Sequence, residues 1–265
     1  MSCNTAVLIP IYNSAQSPPE KLSIRHLEHF LANADKYILS PKNLKNISSP
    51  YPVKYFDEVF FTNPGSYSQL LLSSRFYKEF SDYPFILIYQ LDCLIFSEQL
   101  EFWYKSGYDY IGAPFFWDKS DPNKGFSRVG NGGFSQRKVS SFLKVLNSRR
   151  VPRLGEVFKA GLPDLKHLPL IKRFIKTFKV FRDARLGVKM YIQNYTLNED
   201  LFWSDRAKLF YPEFNIAPVK YGLKFSFEMF PRYCYKRNGR RLPFGCHAWS
   251  KWDRTFWEPY LLIDV

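Results

Sequence analysis

The fold of this chain is decided by one stretch, Tyr83-Pro-Phe-Ile-Leu-Ile-Tyr-Gln-Leu-Asp92. Its first part is hydrophobic on both faces, which is typical of a strand buried in a parallel sheet. Asp92 then places one carboxylate in apolar surroundings, and such a group needs a cation, a hydrogen-bond network or a place at the strand's mouth. Ligands of open α/β sheets bind beyond the carboxyl ends of the strands, where Asp92 would emerge. The alternative is a structural Asp that caps the next turn.

The segments around this stretch alternate between strand and helix patterns. Strands are predicted at 6–12, 37–39 and 53–61, and helices at 23–34, with Ser23 as N-cap, and 66–80. This alternation predicts an α/β fold with a mostly parallel, doubly wound sheet flanked by helices. A chain of 265 residues that is 46% hydrophobic fits one sizeable domain or two small ones, and we expect a single domain over 1–265.

The cysteines and the N-terminus bear on location. The four cysteines form no CxxC pair, so neither a disulfide scaffold nor a zinc finger is expected, and a reducing compartment is the simpler assumption. Cys93 and Cys246 are expected to be buried apolar side chains, and His26 and His29 to lie on the surface. The first residues lack a basic stretch, and no segment reaches the ~20 apolar residues of a membrane span. A cytoplasmic protein is therefore predicted.

The formal charge of +14 is concentrated in one basic segment at about 148–190. Between positions 144 and 189, thirteen Lys and Arg residues face three acids. One predicted helical face carries apolar side chains, namely Leu170, Ile171, Phe174, Ile175, Phe178 and Phe181. The other carries cations, namely Lys172, Arg173, Lys176, Lys179 and Arg182. This amphipathic pattern predicts peripheral contact with an anionic membrane through 168–185. A helix packed on the domain with a solvated basic face is the alternative.

Four short motifs carry candidate chemistry: Gln90-Leu-Asp92, Gly130-Asn-Gly-Gly133, Asn198-Glu-Asp200 and Phe244-Gly-Cys-His247. A carboxylate and an imidazole suit a divalent cation that keeps open positions for diphosphate oxygens. The glycines allow another group to approach the backbone closely, or allow positive φ angles. Either property can serve a bound ligand or a tight turn in the sheet. Paired acids at a helix start are favoured by the helix dipole whatever their function. No GxxxxGK[ST] pattern is present, so the glycine loop is not a nucleoside-triphosphate cradle.

In order and character, these motifs resemble those of GT-A fold glycosyltransferases. The phrases YQLD, YIGAPFFW, VGNGGFSQRKV, NEDLFW and PFGCHAW are similar to a bacterial glycosyltransferase family formerly labelled a domain of unknown function, from about Ala6 to Trp249. The resemblance implies a GT-A-like, Rossmann-type sheet. It also implies transfer of a sugar from a nucleotide donor, such as a UDP-hexose, to a hydroxyl of a glycan acceptor in bacterial lipopolysaccharide, O-antigen or capsule synthesis.

The resemblance also implies roles for particular residues. Mn²⁺ or Mg²⁺ would be bound through Asp92 and His247, although Gln90 stands where the pattern often has another Asp. Asp200 would be the general base of an inverting enzyme, or would orient substrate in a retaining one, with Glu199 binding acceptor or donor sugar. The donor and its nucleotide would contact Pro10, Tyr12, Asn13, Gln90, Asp92, Asn131, Gly132 and Gly133.

Three alternatives remain open at this stage. A sugar-phosphate nucleotidyltransferase would share the sheet and the metal chemistry, but the chain after the first strand lacks a glycine- and lysine-rich loop. A nucleic-acid-binding module would interleave basic and aromatic residues on one surface, whereas here the basic residues are concentrated in one segment and the motifs are acidic, so no nucleic-acid partner is expected. A non-catalytic glycan-binding domain is also consistent with Gln90 in place of an acid.

Overall fold

The computed structural model describes residues 4–44, 47, 49–159 and 169–263. Within these ranges the chain forms a mixed α/β domain. Its strands, in chain order, are β1 Thr5–Pro10, β2 Asp35–Pro41, β3 Val53–Phe56, β4 Phe85–Tyr89, β5 Leu94–Ile95, β6 Tyr110–Gly112, β7 Pro114–Phe116, β8 Phe126–Val129, β9 Phe134–Lys138, β10 Ser226–Phe227 and β11 Gly245–Cys246.

The helices surround these strands. They are α1 Pro18–Phe30, α2 Pro64–Leu71, α3 Ser74–Lys78, α4 Leu100–Tyr104, α5 Val139–Leu146, α6 Leu154–Lys159, α7 Leu170–Arg185, α8 Val188–Gln193, α9 Glu199–Asp205, α10 Ala207–Phe210, α11 Val219–Phe225, α12 Pro231–Arg237 and α13 Arg254–Trp257. Short 3₁₀ helices lie at Glu58–Phe61, Pro122–Lys124 and Glu258–Tyr260.

The central sheet has six strands in the order β3-β2-β1-β4-β9-β6. The first four are parallel, and β9 runs antiparallel to both of its neighbours, β4 and β6. The predicted mostly parallel α/β sheet is therefore confirmed. Because β1 and β4 are parallel neighbours and β9 starts opposite Tyr89, the ends of β1 and β4 and the start of β9 meet at one edge.

Both faces of the sheet are covered by apolar packing. Ala6 and Leu8 of β1 belong to the hydrophobic cluster on one face, and Val7 and Ile9 to the cluster on the other. This alternation follows from the two-residue period of a strand. Each fully buried aliphatic side chain contributes on the order of 1.5–3 kcal/mol, so burial on both faces strongly stabilises the central strands.

Helix α1 begins five residues earlier than predicted. Ser17 and Glu20 form a capping box at its N-terminus, and Pro18 occupies the first helical position, where its missing N–H costs nothing. The predicted cap, Ser23, is a buried residue inside the helix whose hydroxyl donates to Tyr89 Oη at 2.9 Å. A serine before an apolar run was thus wrongly interpreted as a helix start.

Two other predicted elements are shorter than expected. The helix predicted at 66–80 is divided into α2 and α3, because Ser73 leaves the helical conformation and its hydroxyl accepts from the Arg75 N–H at 3.2 Å. The third strand ends at Phe56, and a 3₁₀ helix follows it.

His26 is fully buried, so its predicted surface position is wrong. The Leu262 N–H donates to Nε2 at 3.0 Å, which leaves the proton on Nδ1 to donate to the Ile95 carbonyl at 2.8 Å. Burial lowers the pKa of His26, so the ring is neutral at pH 7. His29 is exposed, and Cys93 and Cys246 are buried free thiols, as predicted.

The basic segment contains α6, α7 and α8, while its residues 160–168 lie outside the described part of the chain. The predicted amphipathic helix is therefore α7 over Leu170–Arg185. No helix within the described ranges is both long enough and apolar enough to cross a membrane.

Candidate active site

A cavity of about 1220 Å³ opens at the edge where β1, β4 and β9 meet. Every residue predicted for the site lines this cavity. These residues are Pro10, Tyr12, Asn13, Gln90, Asp92, Asn131, Gly132, Gly133, Glu199, Asp200 and His247. Segments far apart in sequence thus converge on one site.

Asp92 lies three residues beyond β4, at the mouth of the strand. The Gln90 N–H donates to the Gly133 carbonyl at 3.0 Å, and the Trp249 N–H donates to the Asp92 carbonyl at 3.2 Å. The turn that carries Asp92 is therefore held between the glycine loop and the segment after β11. The Asp92 side chain remains 46% exposed, so this carboxylate reaches the cavity.

His247 follows β11 and faces Asp92 across the cavity wall. Its Nε2 lies 3.1 Å from Gln90 Oε1 and 3.2 Å from Asp92 Oδ1, and its Nδ1 lies 3.3 Å from Glu228 Oε1. Burial disfavours the charged ring, but the two carboxylates outweigh burial and raise the pKa of His247 to about 10. Burial likewise raises the pKa of Asp92, but the contact with His247 dominates and leaves it below the usual value.

This donor set fits a divalent cation. Asp92 Oδ1 is a buried oxygen that lies 3.2 Å from His247 Nε2, and the amide oxygen of Gln90 lies beside the same nitrogen. A cation would displace the proton from Nε2, because a metal and a proton compete for the same lone pair. Glu228 is placed to accept the proton of Nδ1, an arrangement that orients many metal-binding histidines. Oxygen and imidazole ligands of this kind suit Mn²⁺.

Cys93 also lies near this cluster but does not suit a metal. Its Sγ donates to the Gly133 carbonyl at 3.4 Å, and burial raises the pKa of the thiol well above its usual value. A protonated, hydrogen-bonded thiol is a poor ligand.

Neighbouring side chains of the protein leave no space for a Cβ at Gly132 or Gly133 of the glycine loop. A Cβ on Gly132 would lie 2.1 Å from Glu199 Oε1, and a Cβ on Gly133 would lie 2.2 Å from His247 Nε2. The glycines were expected to permit either close approach or a positive φ angle. Close approach applies at both Gly132 and Gly133, and the residue of the loop with a positive φ angle is Asn131, at 71°.

Asn131 contributes a free hydrogen-bond donor to the cavity wall. Its Oδ1 accepts from the Gly133 N–H at 3.1 Å, which fixes the side chain. Its Nδ2 is buried without a hydrogen-bond partner in the described residues. Because unpaired buried amides are costly, this donor is suited to a ligand hydroxyl or phosphate.

Glu199 begins α9 and is held by a fully buried arginine. Arg137 Nη2 donates to Glu199 Oε1 at 2.8 Å, and Nη1 donates to Oε2 at 3.2 Å. The same guanidinium donates to Tyr77 Oη and Ser135 Oγ, each at 3.0 Å. Burial raises the pKa of Glu199 while Arg137 opposes that rise. Both carboxylate oxygens are thus engaged within the protein, and the predicted contact of Glu199 with a sugar stays a prediction.

Asp200 is the neighbouring acid and faces the cavity. The Leu201 N–H donates to its Oδ1 at 2.8 Å, and the Gly132 N–H donates to its Oδ2 at 3.4 Å. Burial raises the pKa of Asp200 above its usual value. A fixed carboxylate with a raised pKa is suited to accept a proton from a hydroxyl.

Sequence reasoning missed many residues of this cavity, among them Lys119, Glu228, Lys251 and Trp252. Both lysines are exposed on the cavity wall, where their ammonium groups can reach an anionic ligand. Glu228 had a usable signal, because it lies in the apolar run Phe225-Ser-Phe-Glu-Met-Phe230, as Asp92 lies in its own. Nothing local distinguishes Lys119 or Lys251 from other surface lysines.

Several solved glycosyltransferase structures are similar to this chain at low identity. The apo-form glycosyltransferase GlyE of Streptococcus pneumoniae TIGR4 is 12% identical, with a TM-score of 0.46, over 98% of this chain and 61% of that one. The galactosyltransferase LgtC, in complex with donor and acceptor sugar analogues, is 10% identical, with a TM-score of 0.43, over 98% and 97%. Mouse xyloside xylosyltransferase 1 is 11% identical, with a TM-score of 0.43, over 91% and 96%.

No curated protein matches the sequence significantly. The family described as "Protein of unknown function (DUF5672)" matches residues 50–247. This range contains most of the cavity wall, including Gln90, Asp92, the glycine loop, Asp200 and His247. The chain therefore belongs to the DUF5672 family.

Proposed function

We propose that this protein is a glycosyltransferase that moves a sugar from a nucleotide donor to a hydroxyl of a glycan. One observation carries the proposal: His247, which pairs with Asp92, lies against Gly133 of the glycine loop, and the Asp200 carboxylate accepts from the N–H of the adjacent Gly132. A site for a leaving diphosphate and a site for proton removal are thus combined in one cavity. Its volume of about 1220 Å³ exceeds the roughly 300–1,000 Å³ of ordinary ligand pockets, so it has room for a sugar nucleotide.

The diphosphate of the donor is assigned to the wall formed by Asp92, His247 and Lys251. Asp92 and His247, with the Gln90 amide oxygen beside them, would hold Mn²⁺ or Mg²⁺. When bound, such an ion neutralises the charge that develops on the leaving diphosphate. Lys251 adds a fixed positive charge, and the Asn131 amide offers a hydrogen bond.

The acceptor hydroxyl is assigned to the side of the loop that faces Asp200. In an inverting transfer, the acceptor oxygen forms a bond to the anomeric carbon as the bond to the diphosphate oxygen breaks, and Asp200 takes the hydroxyl proton. The Leu201 and Gly132 N–H groups keep the Asp200 carboxylate in place, and the bonds of Glu199 to Arg137 anchor the start of α9 beside it.

The nucleotide is assigned to the end of β1, where Pro10, Tyr12 and Asn13 line the cavity. Tyr12 is half exposed and offers a ring face to a base, so we propose a UDP-hexose donor. For the acceptor we propose a growing glycan of bacterial lipopolysaccharide, O-antigen or capsule. The buried free thiols are consistent with a cytoplasmic setting.

Calorimetry tests the proposal directly. A panel of sugar nucleotides is titrated into the protein with and without Mn²⁺, and then into Asp92→Ala. We expect a UDP-sugar to bind in the presence of Mn²⁺ and the Asp92→Ala variant to bind it at least about tenfold more weakly, because the carboxylate beside Nε2 of His247 is removed.

Asp82→Ala is the matched control, since Asp82 is an exposed acid just before β4. This control should bind as the wild type does. Absence of nucleotide binding together with tight oligonucleotide binding would refute the proposal and favour a nucleic-acid-binding module.

A further inference from the structure

Helix α7 presents an apolar face that packs against nothing in the described part of the chain. Successive helical residues are rotated by about 100°, so its 16 residues divide into three faces. One face, with Thr177, Val180 and Ala184, is buried or half-buried against the domain, and Phe181 packs at its border. The helix is therefore fixed to the domain by a different face from the apolar one predicted from sequence.

The second face consists, up to Phe178, of large apolar side chains directed into solvent, and Arg182 and Arg185 continue it in the last turn. Its apolar members are between 57% and 82% exposed. They are Leu170, Ile171, Phe174, Ile175 and Phe178. Contiguous exposed apolar side chains of this size are uncommon on soluble domains and mark interaction surfaces.

The third face is cationic and borders the apolar one. Lys172, Lys176 and Lys179 lie on it, and all three are exposed. The only acid of the helix is Asp183, which is buried and paired with Arg182 at 2.8 Å. The rim of the exposed apolar face therefore carries a positive charge that the helix does not neutralise.

We propose that this exposed apolar face of α7, with its lysine rim, docks on an anionic lipid bilayer. At about 1.5 Å per residue the helix is roughly 24 Å long, shorter than the ~30 Å hydrocarbon core, so it lies in the plane of the membrane. The phenylalanine and isoleucine side chains enter the acyl region, and the lysine stems extend along them to place ammonium groups at the phosphates.

The charge of the rim selects this occupant over a second copy of the chain. Two such faces brought together would place like charges opposite each other, which disfavours association. An anionic bilayer instead complements every cation of the rim, and attraction to its surface falls off within a Debye length. The proposal is independent of the proposed sugar transfer.

Vesicle co-sedimentation of the full chain tests it. Vesicles of phosphatidylcholine alone and of phosphatidylcholine with phosphatidylglycerol are compared at low and high salt. We expect binding to the anionic vesicles that weakens with salt. Phe174→Ser/Phe178→Ser should lower binding by at least about tenfold, and Lys172→Gln/Lys176→Gln/Lys179→Gln should do the same while weakening the salt dependence.

Two control variants match these changes in number and exposure elsewhere on the surface. Val59→Ser/Phe102→Ser removes exposed apolar side chains, and Lys236→Gln/Arg237→Gln/Arg240→Gln removes exposed cations. Both should bind vesicles as the wild type does. No binding to anionic vesicles, or equal losses in the control variants, would overturn the proposal. So would a dimer in sedimentation that dissociates in Phe174→Ser/Phe178→Ser, because the face would then belong to a second copy.

Discussion

At the scale of single residues, two adjacent acids have opposite environments. Glu199 has both oxygens bonded to the buried Arg137, whereas Asp200 is held only by backbone N–H groups and faces the cavity. The helix dipole favours both equally, since both are acids in the first turn of a helix, and only the resemblance of the motifs distinguishes Asp200 as the base. Their separation into an anchored acid and an available one depends on Arg137, 62 positions earlier in the chain.

Asp200→Asn should lower the rate of sugar transfer by at least about 100-fold, because the amide cannot accept the hydroxyl proton. Burial raises the pKa of Asp200, so its protonated, inactive form persists to higher pH than in an ordinary Asp. Wild-type activity should therefore be present above that raised pKa and be lost as the pH falls through it. A pH–rate profile of transfer measures this.

Glu213→Gln serves as the control for this variant, since Glu213 is exposed and outside the cavity. Its pH–rate profile should match that of the wild type. Asp200→Asn activity close to the wild-type rate would show that Asp200 is not the base.

At the scale of elements, the loop between β8 and β9 determines how closely the ring of His247 can approach the sheet. Gly133→Ala would place a methyl group 2.2 Å from Nε2 and 2.6 Å from Gln90 Oε1, so both side chains must move. We expect the affinity for Mn²⁺ to fall by about 10–100-fold, as it does when the support of a metal ligand is disturbed. Calorimetric titration of Mn²⁺ measures the loss.

Gly155→Ala is the matched control, because a Cβ at Gly155 in α6 meets open space. This variant should bind Mn²⁺ with wild-type affinity. An equally strong Mn²⁺ complex in Gly133→Ala would show that the ion does not use His247.

The boundaries of elements were harder to predict than their existence. Apolar periodicity correctly indicated α1, but the capping box at Ser17 outweighed the serine nearer the apolar run. Periodicity also located α7, yet it could not tell which face packs, because Thr177 and Ala184 are small and the larger residues point outward. Which face of a helix is buried depends on the residues, distant in sequence, that pack against it, and a local sequence pattern does not show these residues.

At the scale of the whole molecule, His26 joins three distant parts of the chain. Its ring links α1 to Ile95 of β5 and to Leu262 near the end of the described residues. Burial lowers its pKa below the usual 6.5, so the unfolded chain binds this proton more readily than the folded one. The free energy of unfolding should therefore decrease as the pH falls below about 6.5.

His26→Gln should lose about 1–3 kcal/mol of stability at pH 7, since two buried backbone groups lose their partner. It should also lack the part of the acid dependence that the wild type owes to this ring. Urea unfolding at several pH values measures both effects. His29→Gln, which changes an exposed ring one turn away, should follow the wild-type curve, and a His26→Gln curve parallel to the wild type would contradict the assignment.

Sequence reasoning located the cavity but not its full lining. Asp92 and His247 were predicted from an acid in an apolar run and from the order of motifs, although 155 positions separate them. Glu228 carried the same signal as Asp92 and was overlooked. His26 was misplaced because its buried partners, Ile95 and Leu262, are contacts that no local pattern contains.

The buried pair of Arg137 and Glu199 also has an evolutionary consequence. Loss of either partner leaves an uncompensated charge in the interior, which costs about 3–5 kcal/mol, whereas replacement of both by apolar side chains of similar volume costs far less. A substitution at only one of the two positions therefore lowers the stability of the protein strongly, whereas a simultaneous change at both does not. Among homologous chains, positions 137 and 199 should exchange together, so that they are inherited as one unit.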